Sequence, residues 1–361
     1  MSVCGTAILA ITDICAKCPN YCSHLPIPIN RNSPKLRIAK FFMNILTTRS
    51  YLGETDWCAI ANLIDACEIV DRLGEEVSAS ELKLVLDAPK LDKALDVQLW
   101  EDGNYRLIGL ALLDMPDSQD EIDACLWFYV HPNLRGQDLE QDIITWGEKR
   151  LGEVAKARNL PAKLRTYSRE DKTDGMRLLE KQGFKVDRYF LTMARSLAEP
   201  IPAPEFPADF ALTHVSGEKD IQPWVEMFNQ SFIDHWNHHD VTAETVRYWM
   251  QDENYQPELD LIVISGDRKF AAFCDCQIKP QTNPRSNTKD GWIELLGTRR
   301  DFRKMGLGKA MLLAGLHTLK AAGANTAKLS VDADSLTGAT KLYKSVGFRP
   351  METWLSWAKA V

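Results

Sequence analysis

The stretch Arg299-Arg300-Asp301-Phe302-Arg303-Lys304-Met305-Gly306-Leu307-Gly308-Lys309 decides how the second half of this chain folds. The apolar run 292–296 before it predicts a strand, and the apolar spacing within 306–321 predicts a helix after it. Glycines let backbone amides approach a ligand, and the first amides of a helix have no partner inside the helix. Because the helix dipole is positive here and five of the eleven side chains are cationic, the stretch predicts a phosphate or pyrophosphate site.

Two familiar phosphate loops do not fit this stretch. A Walker loop needs Ser or Thr after its Lys, where this chain has Ala310. A dinucleotide-binding fingerprint needs a third Gly or Ala at the position of Met311. The pattern Arg-x-x-Gly-x-Gly does fit, through Arg303, Gly306 and Gly308. Taken alone, this pattern is equally typical of an ordinary helix start with a cationic rim, so a second landmark is needed.

The same landmarks occur twice along the chain, which predicts two copies of one α/β domain. Arg135 occupies the position of Arg303, after an apolar strand and a polar turn. The segment 178–184 matches 342–348, and both end in Gly-Phe. Chance explains one such match, but it explains several matches in the same order poorly.

Four prolines within residues 200–207 mark the seam between the copies, because proline suits neither a helix interior nor a central strand. We therefore predict a degenerate first domain over 43–199 and an intact second domain over 208–361. Residues 1–42 lack periodicity and are expected to be a disordered extension. The alternative for this extension is a metal site formed by Cys15, Cys18, Cys22 and His24, although the second spaced pair of zinc ribbons is missing.

Composition excludes several classes of protein. The chain has 361 residues, 45% hydrophobic and 26% charged, which fits two globular domains plus a segment. No apolar run is long enough to span a membrane, and the net charge of −7 disfavours a nucleic-acid binder. Nine scattered cysteines suit a reducing cytoplasm, and the apolar stretch 3–11 lacks the basic flank of a signal peptide. We expect a cytoplasmic protein with neither nucleic acid nor membrane as partner.

The segment Ala339-Thr340-Lys341-Leu342-Tyr343-Lys344-Ser345-Val346-Gly347-Phe348 is the second landmark. Together with the Arg-x-x-Gly-x-Gly loop it resembles the GNAT superfamily of acetyl-CoA-dependent N-acetyltransferases, in a tandem arrangement similar to that of mycothiol synthases. The resemblance covers 208–361 and, in weaker form, 43–199. It implies a mixed β-sheet flanked by helices in each copy, acetyl-CoA as acyl donor, and a small-molecule or peptide amine as acceptor.

The resemblance also implies roles for single residues. Tyr343 is placed to protonate the departing thiolate. Many family members have a glutamate that acts as general base at the position of Trp292. In this chain Glu294 lies two residues further along, on the same face of a regular strand, and is the candidate base. A water chain to another group is the alternative base. The family often has Asn where Ser335 stands. The implied cofactor contacts are Leu296, Thr298, Arg303, Lys304, Met305, Gly306, Leu307, Gly308, Lys309 and Ser335.

The acceptor side is expected in the aromatic and histidine-rich run 228–240. Its histidines and Asp240 have near-metal spacing, but acetyl transfer needs no metal, and none is expected. The predicted acceptor contacts are Phe228, Phe232, His235 and Trp236.

The first copy departs from the pattern at each chemical position. Asp138 and Glu140 stand where the second copy has its two loop glycines, and Leu179 stands where it has Tyr343. Two carboxylates repel a pyrophosphate, and Leu has no proton to give. We therefore expect the first copy to have a structural or acceptor-shaping role.

Two function classes stay open. The first is an acyl-CoA-dependent N-acyltransferase with acetyl as the default donor, active in the second copy; a mycothiol-synthase-like acetyltransferase is its narrower form. The second is a non-catalytic CoA-binding or regulatory module. The glycine loop and Tyr343 favour the enzyme, whereas Trp292 at the position of the family's Glu favours the module.

Overall fold

The computed structural model describes residues 46–73, 79–88, 91–116, 118–236, 238–252, 255–278, 289–335 and 338–361. The extension 1–42, with its proposed metal-binding cysteines, lies outside these residues. The chain packs as two compact units, one running up to Thr166 and including Ala360–Val361, the other formed by Tyr167–Lys359. The proline-rich segment 200–207 lies inside the second unit. No helix in the described ranges is long and apolar enough to cross a membrane.

The first unit is a mixed sheet covered by helices. Strands β1 to β4 pair antiparallel in chain order, and β4 pairs parallel with β5. Helix α1 buries its apolar side, including Ile60, Leu63 and Ile64, against β2 and β3. The elements are β1 (Thr47–Ser50), α1 (Trp57–Asp71), α2 (Ala79–Leu86), β2 (Val97–Glu101), β3 (Leu107–Asp114), β4 (Ile122–Val130), α3 (Leu139–Arg158) and β5 (Ala162–Arg169).

The second unit repeats this plan. Strands β7 to β10 pair antiparallel in chain order, β10 pairs parallel with β11, and β6 pairs antiparallel with both β11 and β12. The predicted α/β class, with a mixed sheet and flanking helices in each copy, is confirmed. The elements are α4 (Thr173–Lys181), β6 (Lys185–Ser196), β7 (Phe210–His214), α5 (Glu218–Phe232), α6 (Ala243–Trp249), β8 (Asp260–Ser265), β9 (Phe270–Ile278), β10 (Asp290–Thr298), α7 (Leu307–Ala321), β11 (Thr326–Asp332), α8 (Ala339–Ser345) and β12 (Arg349–Ala360).

The two sequence copies exchange their last strands. Strand β6 ends the first copy but pairs with β11 of the second copy. Arg195 on β6 donates to the carbonyl of Val346 at the end of α8, and Lys359 on β12 donates to the carbonyl of Gln182 at the end of α4 (2.9 Å). Each copy therefore stabilises a helix end of the other, and any test of one copy requires the full chain.

Candidate active site

The loop 299–309 forms a cradle of backbone amides at the start of α7. A short 3₁₀ turn over Arg300–Phe302 leads to Lys304 at φ 66° and Gly306 at φ 84°, and α7 begins at Leu307. Alternating left-handed residues of this kind turn successive amides toward one point, which is the geometry of an anion nest. A Cβ atom on Gly308 would make ordinary contacts, 3.5 Å from Thr298 Oγ1 and 3.8 Å from Leu342 Cδ2, and as a glycine this residue has no side chain that could fill the nest.

The side chains of the loop divide by exposure. Lys304, Met305 and Lys309 are exposed, so their cationic or apolar ends can reach a ligand at the loop. Leu307 is buried in the core, which leaves only its backbone amide for such a contact. Arg303 bonds to other parts of the protein and is half-buried.

A cleft opens between β10 and β11. The two strands pair only from Asp290 to Ile293 on β10. Beyond that point β10 continues to Thr298 beside β9, while β11 continues to Asp332 beside β6. Leu296 and Thr298 lie on the part of β10 that no longer pairs with β11, and Leu296 packs against the core that contains α7. The separated edges present backbone groups that an extended ligand can bind, and the cleft leads to the start of α7.

A β-bulge at Glu294 starts this separation and changes which way the side chains point. The ladder with β9 shifts between Ile293 and Leu295. Ile293 packs in the core that contains α7, whereas Leu295 packs in the aromatic core beneath α5. The prediction that Glu294 shares a face with Trp292 assumed regular alternation, and the bulge interrupts that alternation at Glu294 itself.

Tyr343 lies on α8, the helix that borders Gly308 through Leu342. The side chain is only 8% exposed and packs edge-on against Phe348, with ring centroids 6.0 Å apart. Burial raises the pKa of Tyr343 above its ordinary value, so the hydroxyl keeps its proton at neutral pH. The hydroxyl can therefore act only as a proton donor and not as a base near neutral pH.

Asp332, at the end of β11, and Arg188, on the neighbouring strand β6, form an ion pair that was not predicted from the sequence. Asp332 is buried and accepts hydrogen bonds from Arg188 Nη2 (2.7 Å) and from the amide of Asp334 (2.9 Å). The guanidinium of Arg188 lies 5.3 Å from the ring centroid of Trp236. Ser335 follows, with its amide bonded to the carbonyl of Asp332 (3.2 Å). Local sequence patterns could not identify Arg188 as part of this site, because Arg188 belongs to the first copy and reaches Asp332 only through strand exchange.

The acceptor run divides into core and surface. Phe228 is fully buried and stacks on Trp224 (centroids 5.3 Å apart), so Phe228 supports the wall from inside. Phe232 packs beside Phe228, while Trp236 contacts Phe190 (5.9 Å). His235 bonds the carbonyl of Trp236 (2.9 Å), and burial lowers the pKa of His235. The described residues contain no group of three or more side chains arranged to hold a metal ion.

A pair of acidic residues lies on the same side of the sheet as α5. Asp260 and Asp275 are directly opposite each other on β8 and β9. Asp260 is 2% exposed and accepts from Tyr255 Oη (3.0 Å) and Trp224 Nε1 (3.4 Å). Burial raises the pKa of Asp260 to about 7, and burial together with the charges of Asp260 and Glu294 raises the pKa of Asp275.

Asp260 should make stability depend on pH. Because its pKa is higher in the folded than in the unfolded chain, unfolding releases a proton, and the free energy of unfolding falls as the pH rises from about 4 to about 7. We expect a loss of about 1–3 kcal/mol between pH 5 and pH 8. Thermal unfolding of Asp260→Asn should show a flatter profile. The exposed Asp174→Asn is the control and should leave the slope unchanged; equal slopes in all three proteins would contradict the assignment.

The loop of the first copy, residues 131–141, has left-handed residues at the positions that match those of loop 299–309, but one of its own side chains occupies the nest. Gly136 at φ 70° and Asp138 at φ 69° match Lys304 and Gly306. The carboxylate of Glu140, which is 7% exposed, accepts the amide of Gly136 (2.9 Å). A carboxylate of the chain thus occupies one copy of the nest, and Gly308 keeps the other copy open. The cradle at 299–309 therefore fits a phosphate group.

Comparison with known proteins agrees with this geometry. Residues 221–348 match the acetyltransferase (GNAT) family. The chain is 25% identical over 267 residues to a mycothiol acetyltransferase of Acidothermus cellulolyticus, covering 72% of this chain and 78% of that protein. It is 27% identical over 219 residues to a mycothiol acetyltransferase of Thermobispora bispora, covering 61% and 70% respectively.

Solved structures show the same fold. A GCN5-related N-acetyltransferase from Sphaerobacter thermophilus is similar with a TM-score of 0.66 and 26% identity, covering 87% of this chain and 95% of that one. A tandem GNAT protein from the clavulanic acid biosynthesis pathway gives a TM-score of 0.68 at 15% identity, covering 88% and 98%. Residues 221–348 thus match the acetyltransferase (GNAT) family, and the chain is an N-acetyltransferase with the tandem GNAT fold.

Proposed function

We propose that the second copy transfers the acetyl group of acetyl-CoA to the amine of a small polar molecule. The observation that carries this proposal is the contrast between the two loops. The nest at 299–309 is open at Gly308, whereas Glu140 fills the nest of the first copy. One acetyl-CoA per chain should therefore bind, with its pyrophosphate at the amides of 304–308 and its pantetheine arm between β10 and β11.

The cleft determines how the donor is activated. In the proposed arrangement, a backbone amide of β10 beyond the bulge donates to the thioester carbonyl, and Leu296 and Thr298 line the arm. The exposed Lys304 and Lys309 add positive charge near the pyrophosphate. Ser335, in the loop between β11 and α8, lies at the border of the cleft and is the remaining proposed contact.

The reaction requires one base and one acid. The amine must lose a proton before its nitrogen attacks the carbonyl carbon, and the C–N bond then forms as the C–S bond breaks. We assign proton removal to Glu294, directly or through water, because its carboxylate lies at the bulge where the cleft begins. We assign protonation of the CoA thiolate to Tyr343, because a tyrosine hydroxyl carries its proton at neutral pH and the helix that holds it, α8, borders Gly308.

The acceptor is proposed to lie against His235 and Trp236, with Phe232 behind them and Phe228 in the supporting core. Burial lowers the pKa of His235, so this wall carries no histidine charge near neutral pH. Similarity to mycothiol acetyltransferases makes amines of thiol-bearing sugar conjugates the first acceptors to try.

A panel of amines with acetyl-CoA as donor tests the function. Product should be measured as acetylated amine by mass, because thiol-bearing acceptors obscure the release of CoA thiol. We expect at least one small amine to be acetylated by the wild-type chain and not by a cofactor-loop variant. Tight CoA binding without turnover on any amine would instead support the regulatory module that Trp292 favours.

A further inference from the structure

The arginine that opens the Arg-x-x-Gly-x-Gly pattern, Arg303, is bonded within the protein. Arg303 Nη1 bonds Asp234 Oδ2 (2.6 Å), Nη2 bonds the carbonyl of Ser231 (2.8 Å), and Nε bonds the carbonyl of Thr298 (3.4 Å). All three guanidinium nitrogens are therefore engaged by the end of α5 and the end of β10. The side chain holds the loop in place rather than offering a free charge.

Asp234 holds a second cation of the same loop. Its carboxylate also accepts from Arg300, through Nε (3.3 Å) and Nη2. One carboxylate thus pairs with two of the five cationic side chains of the loop. Beyond Asp234, the chain continues directly into His235 and Trp236, the proposed acceptor wall.

The first copy has a matching contact, which we call the tie: its loop arginine, Arg135, pairs with an aspartate at the end of a helix, as Arg303 pairs with Asp234. Arg135 makes a two-pronged ion pair with Asp71 (2.7 and 2.6 Å), and its Nε bonds the carbonyl of Val130 (3.1 Å). In that copy the nest is filled by Glu140 and Leu179 replaces Tyr343. The tie therefore persists where its loop has no open anion site, as expected for a contact that shapes the loop.

We propose that Asp234 is a positioning residue, which fixes the cofactor loop to the acceptor segment through Arg303 and Arg300 and so couples acetyl-CoA binding to the acceptor wall. Without the tie, the amides of 304–308 lose their fixed aim. If Asp234 acted only through its negative charge, its removal would have the opposite effect on the affinity for coenzyme A. Its removal would free two cations and strengthen the binding of an anion.

The test compares Asp234→Asn with Asp71→Asn in the full chain, with coenzyme A as the probe in titration calorimetry. We expect Asp234→Asn to bind coenzyme A about tenfold more weakly and to raise the KM of an accepted amine as well. Asp71→Asn removes the matching tie in the first copy and should leave both constants unchanged. Unchanged or tighter coenzyme A binding by Asp234→Asn would overturn the proposal.

A second variant keeps the test decisive if Asp234→Asn does not fold. Arg303→Lys retains the charge but cannot make the three contacts of the guanidinium. Positioning predicts weaker coenzyme A binding by Arg303→Lys and none of this effect for Arg135→Lys. Retained affinity would show that Arg303 serves only as a positive charge. The inference rests on the proposed function, whose own failure would look different. The wild-type chain would then either not bind coenzyme A or bind it without acetylating any amine, whereas failure of the inference would leave the wild type active and the coenzyme A affinity of Asp234→Asn unchanged.

Discussion

Replacing Gly308 with Glu is expected to abolish acetyl-CoA binding while leaving the chain folded. The backbone of Gly308 has no positive φ, and a new Cβ would meet its neighbours at ordinary contact distances, so the substitution is tolerated sterically. The new carboxylate would reach the loop amides, as Glu140 reaches the amide of Gly136 in the first copy. It would then both fill the nest and repel the pyrophosphate.

Gly308→Ala is the matched control for this prediction. It adds the Cβ without the charge, and we expect at most a few-fold loss of affinity in calorimetry, with an unfolding temperature like that of the wild type. Normal acetyl-CoA affinity in folded Gly308→Glu would mean that the pyrophosphate binds elsewhere.

Tyr343→Phe should lower turnover far more than it weakens acetyl-CoA binding. The ring still packs against Phe348, but the hydroxyl proposed to protonate the thiolate is gone. General acids typically contribute 10²–10⁴-fold, and because a CoA thiolate is a good leaving group we expect about 10²-fold. The loss should be in kcat, since the proton moves as charge develops on sulfur and not when acetyl-CoA binds.

Steady-state kinetics with calorimetry separate these two effects. A kcat near the wild-type value on an accepted amine would assign the proton to water instead. A large loss of acetyl-CoA affinity with little change in kcat would make Tyr343 a packing residue only. Leu179→Tyr, at the matching position of the first copy, is the control and should change neither constant.

Periodicity and turn chemistry predicted most of the fold. The strand β10 and the helix α7 were both placed within a few residues, because each is a strongly patterned segment bounded by glycines or charges. The duplication was predicted from matching landmarks, and the loops at Arg135 and Arg303 do share a backbone conformation. The sequence predicts that the carboxylates at 138 and 140 repel a phosphate. The structure adds a second way to exclude a phosphate, because the carboxylate of Glu140 accepts a hydrogen bond from an amide of its own loop.

Other features depend on pairing that local sequence does not encode. The bulge at Glu294 has no signature in the sequence pattern, but it changes the face of the sheet on which every later residue of β10 lies. The exchange of β6 and β12 brings Arg188 to Asp332, although the two residues lie in different sequence copies. Residue spacing also cannot distinguish a side chain that lines a pocket from one in the hydrophobic core behind it. Phe228 was therefore predicted to contact the acceptor together with Trp236, but it is fully buried.

The most direct test of the account is the stoichiometry of acetyl-CoA binding to the full chain. Titration calorimetry of the wild type should give one site per chain, and Gly308→Glu should give none. Two sites in the wild type would show that Glu140 does not close the first copy. One remaining site in Gly308→Glu would place the donor in the first copy and contradict the central claim.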